Sequence, residues 1–370
     1  FPKSFREHYL NIDSSTVFTP ALLKEIEDKI NRLSFAKSTK TPEVLFKQDS
    51  TIIYVYSKKT NNNNIDALIN LNTNESSSLQ FNGIIDLTLD NILNGGEKIR
   101  VFWNRVAENQ SEFKLESNIP YILNTKINSN LAFDIYRQDS TFLNTTAQLK
   151  LSYDLNYKTN LGLNFRLVSS TEIESQQGSG NIADYNSFSF SGFIELKSKK
   201  NSFNGNPKIY QQYGIGLKFR TSDIEDTEQV EIKSEITANL ELSERSLVYL
   251  SNTTQLLISE NFLINELYRI GGINTLRGFN EQSIFASKYS LINAEYRYYG
   301  NENNYLYTIS DFSWIENINS NDNFFYSLGL GYSFRKSNNQ INLAYVLGGL
   351  SNSRLDFNNS RLIVKFVTFF

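Results

Sequence analysis

Few residues in this 370-residue sequence are equipped for covalent chemistry. It has no cysteine and a single histidine, His8, which excludes a thiolate nucleophile, a disulfide framework and a Cys/His metal site. A Ser-His-Asp triad would depend on His8, near the start of the chain, where a surface histidine is the simpler reading. Arg277 has the more distinctive setting, in the run Arg269-Ile-Gly-Gly-Ile-Asn-Thr-Leu-Arg-Gly-Phe279. Gly271 and Gly272 permit backbone angles that a residue with a Cβ resists, and Gly278 lets the chain turn sharply beside Arg277. The segment around them, 259–288, carries Phe262, Leu263, Ile264, Leu267, Ile270, Ile273, Leu276, Phe279, Ile284 and Phe285, where an ordinary surface loop would be polar. So much apolar surface predicts a loop packed against something, with Arg277 carried to a chosen place; the bland alternative is an exposed arginine in a long hairpin loop.

The elements that position this loop are read from alternation. From Ile65 onward apolar and polar residues alternate almost without interruption. Ala147, Leu149, Leu151, Tyr153, Leu155 and Tyr157 interleave with Gln148, Lys150, Ser152, Asp154 and Asn156; Val230, Ile232, Ile236, Ala238, Leu240 and Leu242 interleave with Glu231, Lys233, Glu235, Asn239 and Glu241. Similar segments recur near 79–89, 113–119, 127–137, 161–167, 188–197, 213–220, 247–257, 289–299, 324–335, 341–347 and 360–370, with weaker ones at 65–73, 97–106 and 304–314. The total is about sixteen strands, many long enough to cross a bilayer when tilted. Composition agrees: 27 Phe and 21 Tyr accompany 20% charged residues, the mixture expected of strands with one oily and one wet face. A net charge of −3 argues against a nucleic-acid binder, which needs a basic patch. No run of eighteen apolar residues predicts a transmembrane helix, which leaves a transmembrane barrel open.

A soluble sandwich or lipocalin-like barrel is the alternative. Sixteen long strands closed with the oily face inward would leave an interior too wide for side chains to fill. Aromatics also gather at segment ends (Tyr296, Tyr298, Tyr299; Phe324, Phe325, Tyr326; Phe366, Phe369, Phe370), as interfacial girdles do. The expected fold is an all-β transmembrane barrel of about 16 antiparallel strands over residues 61–370, preceded by a small α+β domain at 1–60.

In that domain Phe5–Ile12 reads as a strand. Thr19 as N-cap with Pro20 at the first helical position opens a helix with Leu22, Leu23, Ile26, Ile30 and Leu33 at helical spacing. Strands at 43–47 and 51–57 follow, and the run Asn61–Asn64 is the expected boundary. Tight connections are read at Asp139-Ser140 and Ser243-Glu244-Arg245, and long ones at 169–186, 199–207, 221–229 and 259–288. Long loops belong to the cell exterior and short turns to the periplasm. With an even strand count, both termini lie in the periplasm and 259–288 starts from the exterior. Lacking an initiator methionine and a signal-peptide stretch, the sequence is expected to be a processed or truncated product.

Gly271-Gly272 followed by Leu276-Arg277-Gly278-Phe279 resembles the sixth-loop motif of the outer-membrane assembly and secretion barrels. That superfamily contains the BamA/TamA-type assembly factors and the two-partner-secretion translocators. Residues 1–60 are similar to its POTRA (polypeptide-transport-associated) domain, possessing less than the usual fold at the N-terminus. Asn91-Ile-Leu-Asn-Gly-Gly-Glu97 looks like its turn after the second strand, and Phe370, with Phe366 before it, looks like its C-terminal strand signal. The resemblance spans essentially the whole chain.

It implies that the loop folds into the lumen and that Arg277 pairs with acids on the next two strands. Alternation alone points Glu295 inward, on the face of Asn293 and Arg297. Asp311 matches the family's acidic position, although Phe312 and Ser313 replace the small residue and glycine that usually follow. Both acids could instead merely line a wet lumen. The resemblance further implies an outer-membrane protein of a Gram-negative bacterium, its N-terminal domain in the periplasm, that inserts or transports polypeptides without covalent chemistry. It would need no cofactor or metal. Its partners would be client β-barrel or secreted polypeptides, outer-membrane lipids, and periplasmic or lipoprotein accessory subunits, with no nucleic acid. A two-partner-type secretion pore for a dedicated passenger is the alternative, and a passive porin a more distant one. The acidic run 222–228 reads as a solvated external loop.

Overall fold

The computed structural model describes every residue except 1–3, 14, 61, 74–78, 106–109, 157, 174–180, 200, 202, 204–205, 302, 318–323 and 352–359, together with the backbone alone at 68–73, 79–82 and 317. Residues 36–59 form a hairpin, β1 (Ala36–Phe46) and β2 (Thr51–Lys59), against which helix α1 (Pro20–Asn31) packs. The helix starts at Pro20 after an extended Thr19, which makes no side-chain cap bond. Its apolar stripe buries Ile26 and Ile30 with Phe5, Leu10, Phe35 and Ala36. The strand expected at Phe5–Ile12 is instead a helical turn, Phe5–Tyr9. Phe5, Tyr9 and Leu10 recur at a spacing that one helical turn brings to one side, and the N–H of Leu10 bonds the carbonyl of Phe5 at 3.0 Å.

The barrel begins with β3 (Asn64–Thr73), β4 (Leu79–Asp90), β5 (Lys98–Arg105), β6 (Ser111–Ile119) and β7 (Ile127–Gln138). It continues through β8 (Phe142–Asn156), β9 (Thr159–Glu172), β10 (Tyr185–Lys197), β11 (Ile209–Ser222), β12 (Thr227–Ser243) and β13 (Ser246–Ile258). After the three-residue β14 (Tyr268–Ile270), which belongs to the long loop, come β15 (Ile284–Asn301), β16 (Asn304–Asn317), β17 (Phe324–Lys336), β18 (Asn339–Leu350) and β19 (Ser360–Phe369). Each wall strand pairs antiparallel with its neighbours, and β19 closes on β3 in a 16-stranded barrel. Every alternating segment read from the sequence is a wall strand.

The polarity is inverted relative to a soluble barrel. On β10 Ser187 and Ser189 are buried while Phe188 and Phe190 are exposed; on β17 Ser327 and Ser333 are buried while Leu328, Leu330, Tyr332 and Phe334 are exposed. An apolar outer belt over a polar inner face is what a hydrocarbon surround requires. No helix of the described residues is long and apolar enough to cross a membrane.

The loop-length rule for the two ends holds only partly. The 198–208 connection, one of the long ones, lies at the same end as the N-terminal domain, and the tight Asp139 turn lies at the other, with 259–283. The expected 221–229 loop is short, because β11 runs to Ser222 and β12 starts at Thr227; Asp223, Glu225 and Asp226 are exposed in the turn between them and Glu228 is exposed on β12.

The N-terminal domain sits on two rim turns. Tyr121 (φ +54) of the 120–126 turn enters its core, with the Phe5 ring 5.2 Å away. The 91–97 turn is closed on itself: the amide of Gly95 donates to the Glu97 carboxylate (2.8 Å) and that of Gly96 to Asn91 Oδ1 (2.8 Å). A Cβ on Gly96 would lie 2.3 Å from the Phe5 ring, so this glycine is the seat of Phe5. Burial pushes the Tyr9 hydroxyl up to about 12 and raises Tyr121 too. Both stay neutral, and Tyr9 donates to the carbonyl of Lys29 at 2.9 Å.

Candidate functional site: the lumenal loop and the seam

The loop that leaves β13 turns back into the barrel. Its β14 segment pairs with the start of β15, Tyr268 opposite Ala286 and Ile270 opposite Ile284. Ile270, Leu276, Ile284, Ala286, Tyr289, Leu291, Ile315 and Phe325 form one buried cluster, against which Phe279 packs with its ring 5.6 Å from that of Phe325. The unusual apolar content of 259–288 thus covers the inner faces of β15–β17. Gly271 and Gly272 have φ of +112° and +98°. The tight turn they allow is held by Thr275, whose hydroxyl receives the amide of Gly271 (2.9 Å) and donates to its carbonyl (2.8 Å).

Arg277 projects from this turn onto the wall. Its Nε and Nη2 donate to the two oxygens of Asp311 at 2.9 and 2.6 Å, and its backbone amide adds a bond of 3.1 Å to the same carboxylate. Nη1 donates to Glu295, and Ser327 Oγ donates to the Arg277 carbonyl. Glu295 is also bound by Arg297 Nη2 at 2.7 Å. Asp311 has no exposed surface, and among the described residues its hydrogen bonds all come from Arg277. Gly278 (φ +91) meets β18 backbone to backbone: a Cβ there would lie 2.9 Å from the amide nitrogen of Gly348.

The structure therefore gathers Gly271, Gly272, Leu276, Arg277, Gly278, Phe279, Glu295 and Asp311 into one place. Phe366, on β19, and Phe370, just past its end, lie elsewhere, and both are exposed.

A second anchor, absent from the sequence reading, holds the stem of the loop to β11 and β12. Glu266, its side chain fully buried, pairs with Lys218 Nζ at 2.6 Å and with Arg220, and accepts a 3.2 Å bond from Gln229. Beside it Asn265 donates to Ser170 Oγ (2.7 Å) and to the carbonyl of Ala183 (2.8 Å). Arg269 lies 3.4 Å from the centre of the Tyr136 ring, Gln282 reaches Glu112 at 2.8 Å, and Asn280 receives Arg361 at 2.6 Å. The loop is thus a plug tied to walls on both sides of the lumen. An acid inside an apolar run at Glu266, and cations alternating with Leu217 and Phe219 at Lys218 and Arg220, were the available signals.

The closure between β19 and β3 is the exception in the wall. Among the described residues it is paired at Asp66–Val367, Ile65–Thr368 and Asn64–Phe369, whereas β3 pairs with β4 from Asn64 to Thr73 and β18 with β19 from Asn339 to Leu347. On its lumenal side Lys365 Nζ lies 3.3 Å from Asp66, and Asp86 is bound by both Nε (2.8 Å) and Nη2 (2.9 Å) of Arg100.

Solved structures share this architecture over the whole chain. CdiB from Escherichia coli matches with a TM-score of 0.67 at 14% identity, covering 100% of this chain and 74% of that one. CdiB from Acinetobacter baumannii matches at 0.67 and 10% identity (100% and 72%). BamA from Haemophilus ducreyi lacking POTRA domains 1–3 matches at 0.58 and 13% identity (100% and 82%).

This chain has the fold of those barrels. No protein-family model and no curated protein sequence matches it, so at these identities the likeness is one of fold. Among the described residues there is no group of three His, Asp or Glu side chains placed to hold a metal ion. The arrangement offers a loop ion-paired into the lumen and, among the described residues, a seam held by three residue pairs.

Proposed function

We propose that this protein is an outer-membrane assembly factor of the BamA/TamA kind, which receives polypeptides at a periplasmic POTRA-like domain and templates their strands at the β3–β19 seam. The observation that carries this reading is the seam. Beyond Asp66 and below Val367 the two edge strands are not paired with each other among the described residues, while every other wall pair is long. Unpaired backbone groups in hydrocarbon cost several kcal/mol each, so such an edge favours a visiting strand. The plug supports the same reading, since it is bonded across the lumen to strands on both sides.

The N-terminal domain fits the role of receiver. In its two-stranded sheet β2 has one partner, β1. A groove of about 460 Å³ runs between β2 and α1, with an apolar floor that includes Leu10, Phe18, Leu22 and Ile53 and with Arg6, Glu7 and Asp13 also in its lining. An extended client adding to β2 would place alternate side chains in it. Partners on this reading are client barrels, the lipids around the outer belt, and periplasmic or lipoprotein subunits docking on the domain.

A two-partner-type secretion pore is the second reading. The specific observation in its favour is that both CdiB barrels match more closely, at 0.67, than BamA at 0.58. Depleting the protein and quantifying the outer-membrane and secreted proteomes separates the two. A broad fall in resident barrels is expected. Intact barrels with one or two passengers lost from the medium would replace the assembly reading by the secretion one, and no change in either class would refute both.

A further inference from the structure

At the rim on the side of the N-terminal domain, a cavity of about 1030 Å³ lies against the turns after β12 and β15, and its lining includes Phe203, Glu241, Arg245, Tyr299 and Arg335. It is at the upper end of the usual size for a small-ligand site and open at its mouth, which suits a segment of a long chain. The N-terminal domain stands over a different part of the rim, where a separate cavity of about 510 Å³ is lined by Tyr9, Lys29, Tyr121, Asp154 and Lys197. Between the two runs the 198–208 connection. It is tied within itself by the amide of Asn201 on the carbonyl of Asn206 (2.7 Å) and the amide of Phe203 on Asn201 Oδ1 (3.0 Å), and to β12 by Asn239 on the carbonyl of Pro207 (3.0 Å).

The tip of that connection puts the Phe203 ring on Tyr299, centroids 4.6 Å apart. Tyr299 is 4.9 Å from Tyr305, and Tyr305 is 5.7 Å from Tyr307. The Tyr307 ring lies against Gly331, where a Cβ would meet it at 2.2 Å, so it is laid flat on the wall. The inward-facing tyrosines of β15 and β16 thus form an aromatic track from the mouth. At its inner end Arg297 stands 5.7 Å from the Tyr305 ring and also binds Glu295, the partner of Arg277.

We propose that this track is a receiving site for an extended polypeptide carrying aromatic side chains, and that Phe203 is a built-in occupant which an incoming aromatic residue displaces from Tyr299. The occupant's chemistry is read from the chain itself: a phenyl ring is already seated there. The lining charges are of both signs, Glu241 and Glu244 with Arg245 and Arg335, which matches a mixed-charge polypeptide better than a polyanion. The proposal rests on the reading that this barrel handles polypeptides.

The test uses the full chain in nanodiscs and, as probe, a fluorescent synthetic peptide of residues 324–350, a stretch of this barrel with many aromatic residues. Phe203→Ala removes the competitor and should tighten binding, whereas Tyr299→Leu removes the seat and should weaken it, each by roughly three- to tenfold. Folding is checked by heat-dependent gel migration; should Tyr299→Leu misfold, Tyr305→Leu takes its place with the same expected sign. A merely structural aromatic cluster would shift both variants in one direction. That result, no binding to the parent, no change in either variant, or displacement of the peptide by a maltooligosaccharide would overturn the proposal. If depletion costs the cell its clients while the opposite signs are missing, this proposal falls alone. If depletion leaves both proteomes intact, the functional reading falls whatever the titration gives.

Discussion

Replacing Arg277 by alanine should release the plug from β15–β17, and the size of the effect can be worked from its partners. Asp311 is fully buried and receives three bonds, all from Arg277. Glu295 keeps Arg297 when Arg277 is gone, so the stranded charge is that of Asp311. Removing one partner of a buried pair costs about 3–5 kcal/mol, because the other charge stays desolvated. Docking of the loop should therefore weaken roughly 100- to 4,000-fold. The chain has no cysteine, so Ala286→Cys, at a fully buried position under the loop, gives a unique thiol whose maleimide labelling follows undocking. Arg277→Lys should be intermediate, since one ammonium cannot reproduce a fork shared between two carboxylates. Adding Asp311→Asn to Arg277→Ala should slow labelling again by tenfold or more, because the stranded charge is gone. Labelling of Arg277→Ala within threefold of the parent, or no recovery with Asp311→Asn, would refute the account.

Other perturbations have equally definite outcomes. Gly278→Ala must hold φ near +91° and push Gly348 back from 2.9 Å, at a cost of about 1–3 kcal/mol; the same thiol should label about ten to a hundred times faster. Glu266→Gln leaves Lys218 and Arg220 without their shared charge, and a Leu263→Cys reporter beside it should become accessible while Ala286→Cys stays protected. A disulfide between Asp66→Cys and Val367→Cys, which are paired across the seam at a spacing a disulfide can span, should stop client insertion in reconstituted vesicles and restore it on reduction. Unimpaired insertion by the oxidised protein would remove the seam from the mechanism. Tyr121→Ala empties a slot in the N-terminal core, about 3 kcal/mol or more for a buried aromatic, and should expose residues 4–60 to protease while the barrel stays intact.

The wall was legible in the sequence because alternation is a local signal: Ser187, Phe188, Ser189 and Phe190 disclose their two faces without any knowledge of neighbours. Glu295 was legible for the same reason. Asp311 was legible only through the resemblance, since nothing local distinguishes an acid under a plug from one facing lumenal water. Glu266 and its two cations lie 46 to 48 residues apart, and their meeting depends on where the loop folds. Gly348-Gly349 carried a usable hint, since glycine inside a strand marks close backbone approach, but the strand was read to end at 347. The N-terminal turn at Phe5–Tyr9 was misread because a few residues cannot separate helical from alternating spacing. The side of the 198–208 connection was misread because length alone does not locate a loop that packs across the rim.

Two routes are open to a client, and the interactions each must break differ in kind. Threading the lumen means moving the plug, hence breaking the Arg277 pairs with Asp311 and Glu295, the Glu266 pairs with Lys218 and Arg220, and the apolar cluster under Leu276. A charge that stays buried after its partner leaves costs about 3–5 kcal/mol, so each pair must be rehydrated or re-paired as the plug moves. Parting the seam means separating three residue pairs of backbone and one part-exposed ion pair, Lys365 with Asp66. An exposed pair contributes about 0–1 kcal/mol, and a net backbone bond about 0.5–1.5 kcal/mol as long as an arriving strand replaces it. The exchange at the seam is near balance, while the exchange at the plug needs a client that replaces several buried charges at once. This inequality favours insertion at the wall over passage through the lumen. A client that did pass the lumen would have to bring carboxylates or guanidinium groups to match Arg277 or Asp311, and such charge matching is what distinguishes a dedicated passenger from a general one.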